Sequence, residues 1–244
     1  MNGREKKGGL RSPVSDEARH RPGQQPGDFG LGIAVRPAVL FVRRDSDYKT
    51  MDCDVYDIDR DARTFRGGQS VVAHPPCRLW STLRAFSTAP IEEKELAVLA
   101  VDQVRQWGGV LEHPINSTLW SHIPLPDRLD VDAWGGFTIP IAQWWFGHRA
   151  AKWTKLYICG CAPSRLPPMP FRLGDADRVV TNRSGLRSGM PGFKREVTKR
   201  ERDATPPALA EWLLAVARMC GPGRNRRIPG ISGSAVAVAA VHNA

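Results

Sequence analysis

The amino-acid sequence predicts an α/β fold built on a mostly parallel sheet. Short apolar runs of strand type recur along the chain, a helical segment separates two of them, and polar or reactive side chains follow the runs directly. Strands that alternate with helices form parallel sheets, whose functional residues gather at the carboxyl ends of the strands. A chain of 244 residues, 41% of them hydrophobic, has room for one such domain and a small appendage.

The first half of the chain supplies four strand-type runs and one helix. The runs are AVLFV, which precedes two arginines; CDVYDID, which ends in acids; SVVAH, which stops at two prolines; and VLEH, which stops at one. Between the last two lies PIEEKELAVLAVDQVRQWGG, with acids in its first turn, apolar residues at helical spacing and two glycines at its end. A right-handed crossover through this helix would place the flanking strands side by side.

The second half predicts one more strand and one more helix. TIPIAQWWFGHRAAKWTKLYICG ends in a strand, and TPPALAEWLLAVARMC is a helix with Thr205 as its N-cap and prolines in its first turn. We expect a Rossmann-like catalytic core over residues 37–163, a small irregular basic lobe over 164–203, and a helix over 204–220 that packs back on the core. Residues 1–36 and 221–244 read as a disordered basic arm and a flexible tail.

Composition narrows the class of protein. The net charge of +10 favours a polyanionic partner, DNA first, although the basic ends of the chain contribute to it. Five scattered cysteines without a C-x-x-C pair argue against a disulfide framework or structural zinc. With no apolar run long enough to cross a bilayer and no signal peptide, we expect a soluble, monomeric protein of the cytoplasm.

Two residues at strand ends are candidates for chemistry. In VVAHPPCRLWS, Cys77 sits on a rigid turn after a strand, where it can act as a nucleophile if Arg78 favours its thiolate; the alternative is a buried structural cysteine. Glu112 follows an apolar strand, where burial would raise its pKa and suit it to hold a proton. The alternative for Glu112 is a capping acid or a salt bridge near Arg78.

The remaining polar motifs are less specific. The H-x-x-C pair of His74 and Cys77 is the only ligand-like spacing, so no metal site is predicted. In QWWFGHRAAKW, aromatic residues alternate with Arg149 and Lys152, a mixture that can stack bases and hold phosphates, although at least two of the aromatics are expected in the core. The sequence leaves four roles open: His74, His113, Cys159 and Cys161.

Taken in order, these segments resemble the cytosine-5 DNA methyltransferases. PPCRLWS is similar to the P-P-C-x-x-F-S segment that carries the nucleophile of the family, here Cys77. EHP is similar to the E-N-V strand end that binds the edge of the cytosine ring, here through Glu112. DIDRDA resembles an acidic E-I-D-x-x-A segment whose first acid binds the cofactor ribose, which would be Asp57.

Two further segments extend the resemblance and one departs from it. HRAAKWTKLYICG is similar to the family's Q-x-R-x-R stretch and following strand, with Arg149, Lys152 and Lys155 competing for the arginine roles, and ATPPALAEW resembles its N-x-V-P-P helix start. The family's L-F-x-G-x-G-G turn, which cradles S-adenosylmethionine, corresponds to VLFVRRDSDYK. This turn keeps Leu40 and Phe41 but contains no glycine, so its backbone could not approach a cofactor as closely.

The resemblance implies a small methyltransferase of phage or prophage type, of the kind found in restriction-modification, that works on DNA in a bacterial cytoplasm. A flipped cytosine would be attacked at C6 by Cys77 while protonated Glu112 holds the ring, and a methyl group from S-adenosylmethionine would reach C5. The implied catalytic residues are Cys77, Glu112 and Arg149; the substrate-binding residues are Arg78, Ser81, Pro76 and Lys152; and the cofactor-binding residues are Phe41, Asp57, Pro75 and Thr205. The alternatives are a pyrimidine-C5 enzyme with a different donor and an inactive DNA-binding or anti-restriction protein.

Overall fold

The computed structural model describes residues 36–82, 84–127, 130–182 and 184–220. Within them the strands are β1 (Ala38–Val42), β2 (Asp54–Asp57), β3 (Val71–Ala73), β4 (Gly109–Pro114), β5 (Phe137–Ala142) and β6 (Trp153–Cys159), and the α-helices are α1 (Glu93–Trp107), α2 (Leu119–His122), α3 (Lys199–Asp203) and α4 (Pro207–Cys220). The predicted tail, and the predicted arm except for Arg36, lie outside the described residues.

The strands form one mixed sheet in the order β2-β1-β3-β4-β6-β5. The first four strands are parallel, and β6 runs antiparallel to both of its neighbours. The α/β prediction is confirmed, and β3 and β4 lie side by side as the crossover through α1 requires. The sequence missed β5, because Pro140 interrupts its apolar pattern; the residue is tolerated because β5 is an edge strand, where a missing N–H costs little.

Helices cover both faces of the sheet, and the alternation of buried residues along the strands decides which face each side chain joins. Leu40, Ala73 and Leu111 pack with the apolar face of α1, whereas the intervening residues Val39 and Val72 pack with α4. Strands covered on both sides read as continuous apolar runs rather than as alternating ones. This explains why the short strands were recognisable from their composition.

The order of the strands reverses at β1. The chain passes from β1 to β2 on one side and to β3 and β4 on the other, so the switch point lies at the carboxyl ends of β1 and β3. Ligands of open α/β sheets bind at such a switch point. Since β5 runs parallel to β4, its carboxyl end lies at the same edge, where β6 begins. Five strands therefore end at the edge that carries Cys77 and Glu112.

Two glycines join α1 to β4, as the sequence predicts. Gly108 ends the helix at φ 75°, and Gly109 opens the strand at φ 124°. A Cβ atom on Gly109 would lie 1.9 Å from the carbonyl oxygen of Val71 on β3, so only glycine fits this junction. Elsewhere, the predicted basic lobe has little regular structure beyond α3 and a few isolated bridges. Within the described residues, no helix has the length and apolar character needed to cross a bilayer.

Candidate active site

Cys77 lies four residues beyond the end of β3, at the start of a short 3-10 turn. Trp80, the last residue of this turn, holds it in place. Its side chain is fully buried and donates its ring N–H to the carbonyl oxygen of Lys94 in α1 at 3.2 Å. The carbonyl of Trp80 in turn accepts hydrogen bonds from the backbone and hydroxyl of Thr118. The thiol is thus held half-buried on a rigid segment at the strand edge.

Glu112 is the centre of a hydrogen-bonded chain of side chains. His74, which directly follows β3, holds its Nδ1 atom 3.1 Å from Oε2 of Glu112, and Gln143, which directly follows β5, donates to Oε1 at 3.2 Å. The other ring nitrogen of His74, Nε2, lies 2.9 Å from the hydroxyl of Tyr48. Tyr48 is buried in the loop after β1, so the chain crosses the switch point from β1 to β5.

Lys152 completes this group from the turn before β6. Its Nζ atom donates to the carbonyl oxygen of Ala204 at 3.0 Å, and its backbone adopts φ 37°, a conformation that non-glycine residues rarely take. Burial lowers the pKa of Lys152, while the charges of Glu112, Asp203 and Cys77 raise it. Backbone strain of this kind concentrates at functional sites, where the surrounding structure enforces it.

The electrostatics of the site differ from two sequence-based expectations. Burial and the negative charge of Glu112 raise the pKa of the Cys77 thiol, and Lys152, rather than Arg78, is the cation that opposes them most strongly. Burial also disfavours the Glu112 carboxylate, but the hydrogen bond and charge of His74, helped by Lys152, outweigh it and lower the pKa of Glu112. The expectation that burial keeps Glu112 protonated was therefore wrong for the resting site.

His113 is fully buried beside Glu112, although the sequence could not assign it a role. Neither ring nitrogen reaches hydrogen-bonding geometry with the described residues, and the ring meets Trp120 edge-on at 6.1 Å. Burial lowers the pKa of His113 to about 4, with Glu112 and the nearby Pro76 carbonyl acting in the opposite direction. His113 therefore packs as a neutral ring beside the site.

The residues that flank Cys77 make contacts with α1 and within their own turn, and these contacts stabilise the local fold. Arg78 is largely exposed and forms an ion pair with Glu93 in the first turn of α1. Ser81 donates its hydroxyl to the carbonyl oxygen of Arg78 at 3.2 Å, at the end of the 3-10 turn. Pro75 is buried and Pro76 half-buried, and both lie between β3 and the thiol.

Arg149 and Thr205, predicted as catalytic and cofactor-binding residues, come together elsewhere. They line an open cleft of about 200 Å³ between the 147–149 turn and the segment that leads into α4. Arg149 is half-exposed and forms ion pairs with Asp177 and Glu201. Of the three basic residues that competed for the arginine roles, Lys152 is the one whose charge acts on Cys77 and Glu112, and Lys155 pairs with Asp127.

The crevice at the switch point meets only part of what S-adenosylmethionine would need. Asp57 does lie at the carboxyl end of β2, but its carboxylate binds Nζ of Lys49 at 2.7 Å and accepts the backbone N–H groups of two residues of its own turn. The bond to Lys49, with these N–H groups, lowers the pKa of Asp57 to about 2. Phe41 takes φ 64° where a glycine would be unstrained, and Tyr48 bridges the crevice to His74. With these contacts in place, the residues present do not fit the cofactor.

An aromatic cluster lies at the same sheet edge, on the side of β5 and β6. Trp145 contacts Trp153 and Phe171 with ring centroids 5.8 and 5.2 Å away, and the Arg172 guanidinium covers Trp144 at 4.3 Å. Trp153 is 50% exposed and Phe171 70% exposed, whereas the neighbouring Phe146 is core. Exposed rings beside arginines can stack bases.

Sequence reasoning missed Tyr48 and Gln143. A polar residue directly after the apolar run TIPIA was a usable signal for Gln143, once that run is recognised as a strand. Tyr48 gave no such signal, because a position in a loop does not predict a hydrogen bond to His74, which lies 26 residues further along the chain. Within the part of the chain described here, no group of three or more His, Cys, Asp or Glu side chains is arranged to hold a metal ion. Comparison of the chain with protein-family models, with curated proteins and with solved structures finds no match.

Proposed function

We propose that the protein is a cytosine-5 DNA methyltransferase-like enzyme, which modifies C5 of a pyrimidine through a covalent adduct on Cys77. The observation that carries the proposal is the meeting of Cys77, Glu112 and Lys152 at one sheet edge, where Glu112 and Lys152 shift the pKa of Cys77 in opposite directions and Lys152 lowers the pKa of Glu112. These residues come from three different strand ends. A nucleophile, an acid and a cation that share one sheet edge and have shifted pKa values are the combination that reactive sites use, and they support this proposal.

The donor-independent part of the reaction follows from these residues. The sulfur of the Cys77 thiolate forms a bond to C6, the C5–C6 double-bond pair moves to C4–C5, and the C4–N3 pair moves to N3, which takes a proton from Glu112. C5 becomes nucleophilic and exchanges its hydrogen with water; reversal breaks the C6–S bond. The thiol gives its proton to the solvent, and Glu112, a carboxylate in the resting site, takes up one proton before it gives one to N3, so the protons balance overall. Lys152 stabilises the thiolate.

The DNA part of the proposal rests on charge and on the aromatic cluster. The chain carries a net charge of +10, and residues 164–203 contribute ten lysines and arginines against five acids. Trp153 and Phe171 offer exposed rings beside Arg172 at the same edge as the site. A base must leave the duplex to reach a buried thiol, so stacking rings near the entrance fit a flipped nucleotide. The mixed α/β sheet, whose strand order reverses at β1, supports the proposal because open α/β sheets bind ligands at such a point.

The donor divides the proposal into two candidates. Methyl transfer from S-adenosylmethionine is what the family resemblance implies. A C5 modification with a different one-carbon donor is favoured by one observation, the Lys49–Asp57 ion pair, which occupies the carboxylate expected on the ribose. Calorimetric titration with S-adenosylmethionine separates them: micromolar binding that weakens in Asp57→Ala supports methyl transfer, and no binding favours the other donor.

Tritium release tests the thiol addition without any donor. The wild-type protein is incubated with DNA that contains [5-³H]cytosine, and tritium released into water is counted. We expect release by the wild type, loss of release in Cys77→Ser, and normal release in Cys161→Ser, a control at another half-buried cysteine. If no release occurs with duplex DNA, single-stranded DNA or the free nucleotide, the proposed function is wrong. Release from the free nucleotide alone would retain the chemistry and remove DNA as the substrate.

A further inference from the structure

The four residues Tyr48, His74, Glu112 and Gln143 form a continuous hydrogen-bonded chain at the sheet edge that carries Cys77. Its links measure 2.9 Å, 3.1 Å and 3.2 Å, and the loops after three different strands supply His74, Tyr48 and Gln143. The side chains of His74 and Glu112 are each only 13% exposed, and Tyr48 is 1% exposed. Any unpaired polar group in a chain removed from solvent would cost free energy, and the hydrogen bonds of such a chain strengthen one another.

We infer that His74 and Tyr48 are positioning residues that keep Glu112 supplied with the proton N3 takes during thiolate addition. The inference rests on the proposed function and deepens it. Because the resting carboxylate of Glu112 is ionised, N3 cannot be protonated until a proton reaches Glu112. The His74 imidazolium first gives its Nδ1 proton to Oε2 of Glu112, to which it is already hydrogen-bonded, and Glu112 then passes a proton to N3. His74 is left neutral with its remaining proton on Nε2, and reversal of the addition returns the proton along the same path.

Tyr48 allows His74 to hold or release that proton without leaving a buried nitrogen unpaired. A phenol hydroxyl can both donate and accept. The imidazolium, and the neutral ring left when Nδ1 has given up its proton, both carry a proton on Nε2, and the hydroxyl oxygen of Tyr48 accepts this N–H in both states. Burial, followed by the charges of Glu112 and Cys53, raises the pKa of Tyr48, so the phenol keeps its own proton throughout. Gln143 holds the other carboxylate oxygen and fixes the direction in which Glu112 points.

Other titratable groups around the chain set its charge balance. His113 on β4, Lys152 before β6 and Cys53 before β2 act on the chain directly. Cys77 after β3, Asp203 on α3 and Arg43 after β1 act on it through Lys152. Lys152 favours the carboxylate of Glu112, whereas Asp203 and Cys77 interact with Lys152 in turn. His113 is held neutral by burial and does not compete with His74 for the proton.

The test is the pH profile of tritium release from [5-³H]cytosine DNA, from about pH 5.5 to about pH 9.5. We expect the wild-type rate to rise as the thiolate forms and to fall again as the relay loses its proton. His74→Gln retains a donor to Glu112 but carries no transferable proton. We expect it to be slower by about 100-fold and to lose the alkaline decline. Tyr48→Phe retains the ring, and we expect it to be slower by roughly tenfold.

Folding and specificity controls make each outcome informative. His122→Gln changes an exposed histidine that stacks on Trp80 at 5.0 Å, and we expect the wild-type profile from it. Thermal unfolding of each variant shows whether a loss of rate is caused by misfolding. If His74→Gln is misfolded, the rate and pH profile of Tyr48→Phe decide whether the relay operates. Wild-type release with an unchanged profile in His74→Gln or Tyr48→Phe overturns the relay alone. Absence of release by the wild type overturns the proposed function and the relay with it.

Discussion

The buried ring of His113 makes a measurable contribution to acid sensitivity. Its pKa falls from 6.5 to about 4 on folding, because burial excludes the charged form. Between these pH values His113 is protonated in the unfolded chain but neutral in the folded protein. The free energy of unfolding therefore rises with pH, and this contribution is lost as the pH falls from 6.5 towards 4. The full loss is about 3 kcal/mol, of which about 2 kcal/mol is already present at pH 5.

His113→Phe removes the titration and retains a ring against Trp120. Urea unfolding at about pH 7 and about pH 5 measures the free energy of unfolding of both proteins. We expect the wild type to lose about 2 kcal/mol more than the variant between these pH values. Any misfit of the new ring lowers the free energy of unfolding of the variant equally at both pH values. The test therefore compares the change between the two pH values in the wild type with the change in the variant.

Leu119→Ala is the control for ordinary core destabilisation. Leu119 is fully buried near the site and carries no titratable group, so its loss lowers stability by about 2–5 kcal/mol at every pH without changing the slope. If His113→Phe shows the same pH dependence as the wild type, the ring is not held neutral by burial. The reasoning about the interior of β4 would then be wrong.

Three further predictions concern a lysine, a pair of cysteines and a glycine. Lys152→Met removes the cation that lowers the pKa of Cys77, and we expect iodoacetamide labelling of Cys77 near neutral pH to slow by about fivefold, measured by peptide mass mapping. Cys161 and Cys220 have their sulfur atoms 3.0 Å apart, so oxidised glutathione should join them, with two thiols lost in a thiol titration and a stabilisation of roughly 4 kcal/mol by loop closure. Gly109→Ala drives a methyl group into the backbone of β3 and should cost about 3 kcal/mol or more in urea unfolding.

Each of these predictions has a matched control. Lys155→Met removes a lysine that pairs with Asp127 and should leave the labelling of Cys77 unchanged. Cys161→Ser should abolish the oxidation-dependent stabilisation; a shift that persists in this variant would contradict the pairing. Gly147→Ala also strains a positive φ, but in open space, and should cost only about 1 kcal/mol. Equal costs at the two glycines would refute the clash with β3.

The fold was predictable wherever the local pattern and the tertiary environment agree. The apolar runs that became β1, β3 and β4 are buried on both faces, so their composition alone marked them, and the acids and glycines around α1 placed both ends of that helix. The β5–β6 pair was less predictable, because Pro140 breaks the run and because nothing local tells an antiparallel strand from a parallel one. Likewise Thr205 looked like an N-cap, yet α4 begins at Pro207.

By itself, the sequence determined that a thiol and a carboxylate stand at the ends of neighbouring strands, because the crossover rule relates β3 to β4 whatever the rest of the chain does. Only the tertiary structure decided the partners of that pair. Lys152, rather than Arg149, is the basic residue whose charge acts on Glu112, and Tyr48 is connected to Glu112 through His74. Both results arise because loops far apart in sequence meet at one sheet edge. The protonation of Glu112 was decided in the same way: burial is a property of position, but its effect on a pKa depends on which charges share the site.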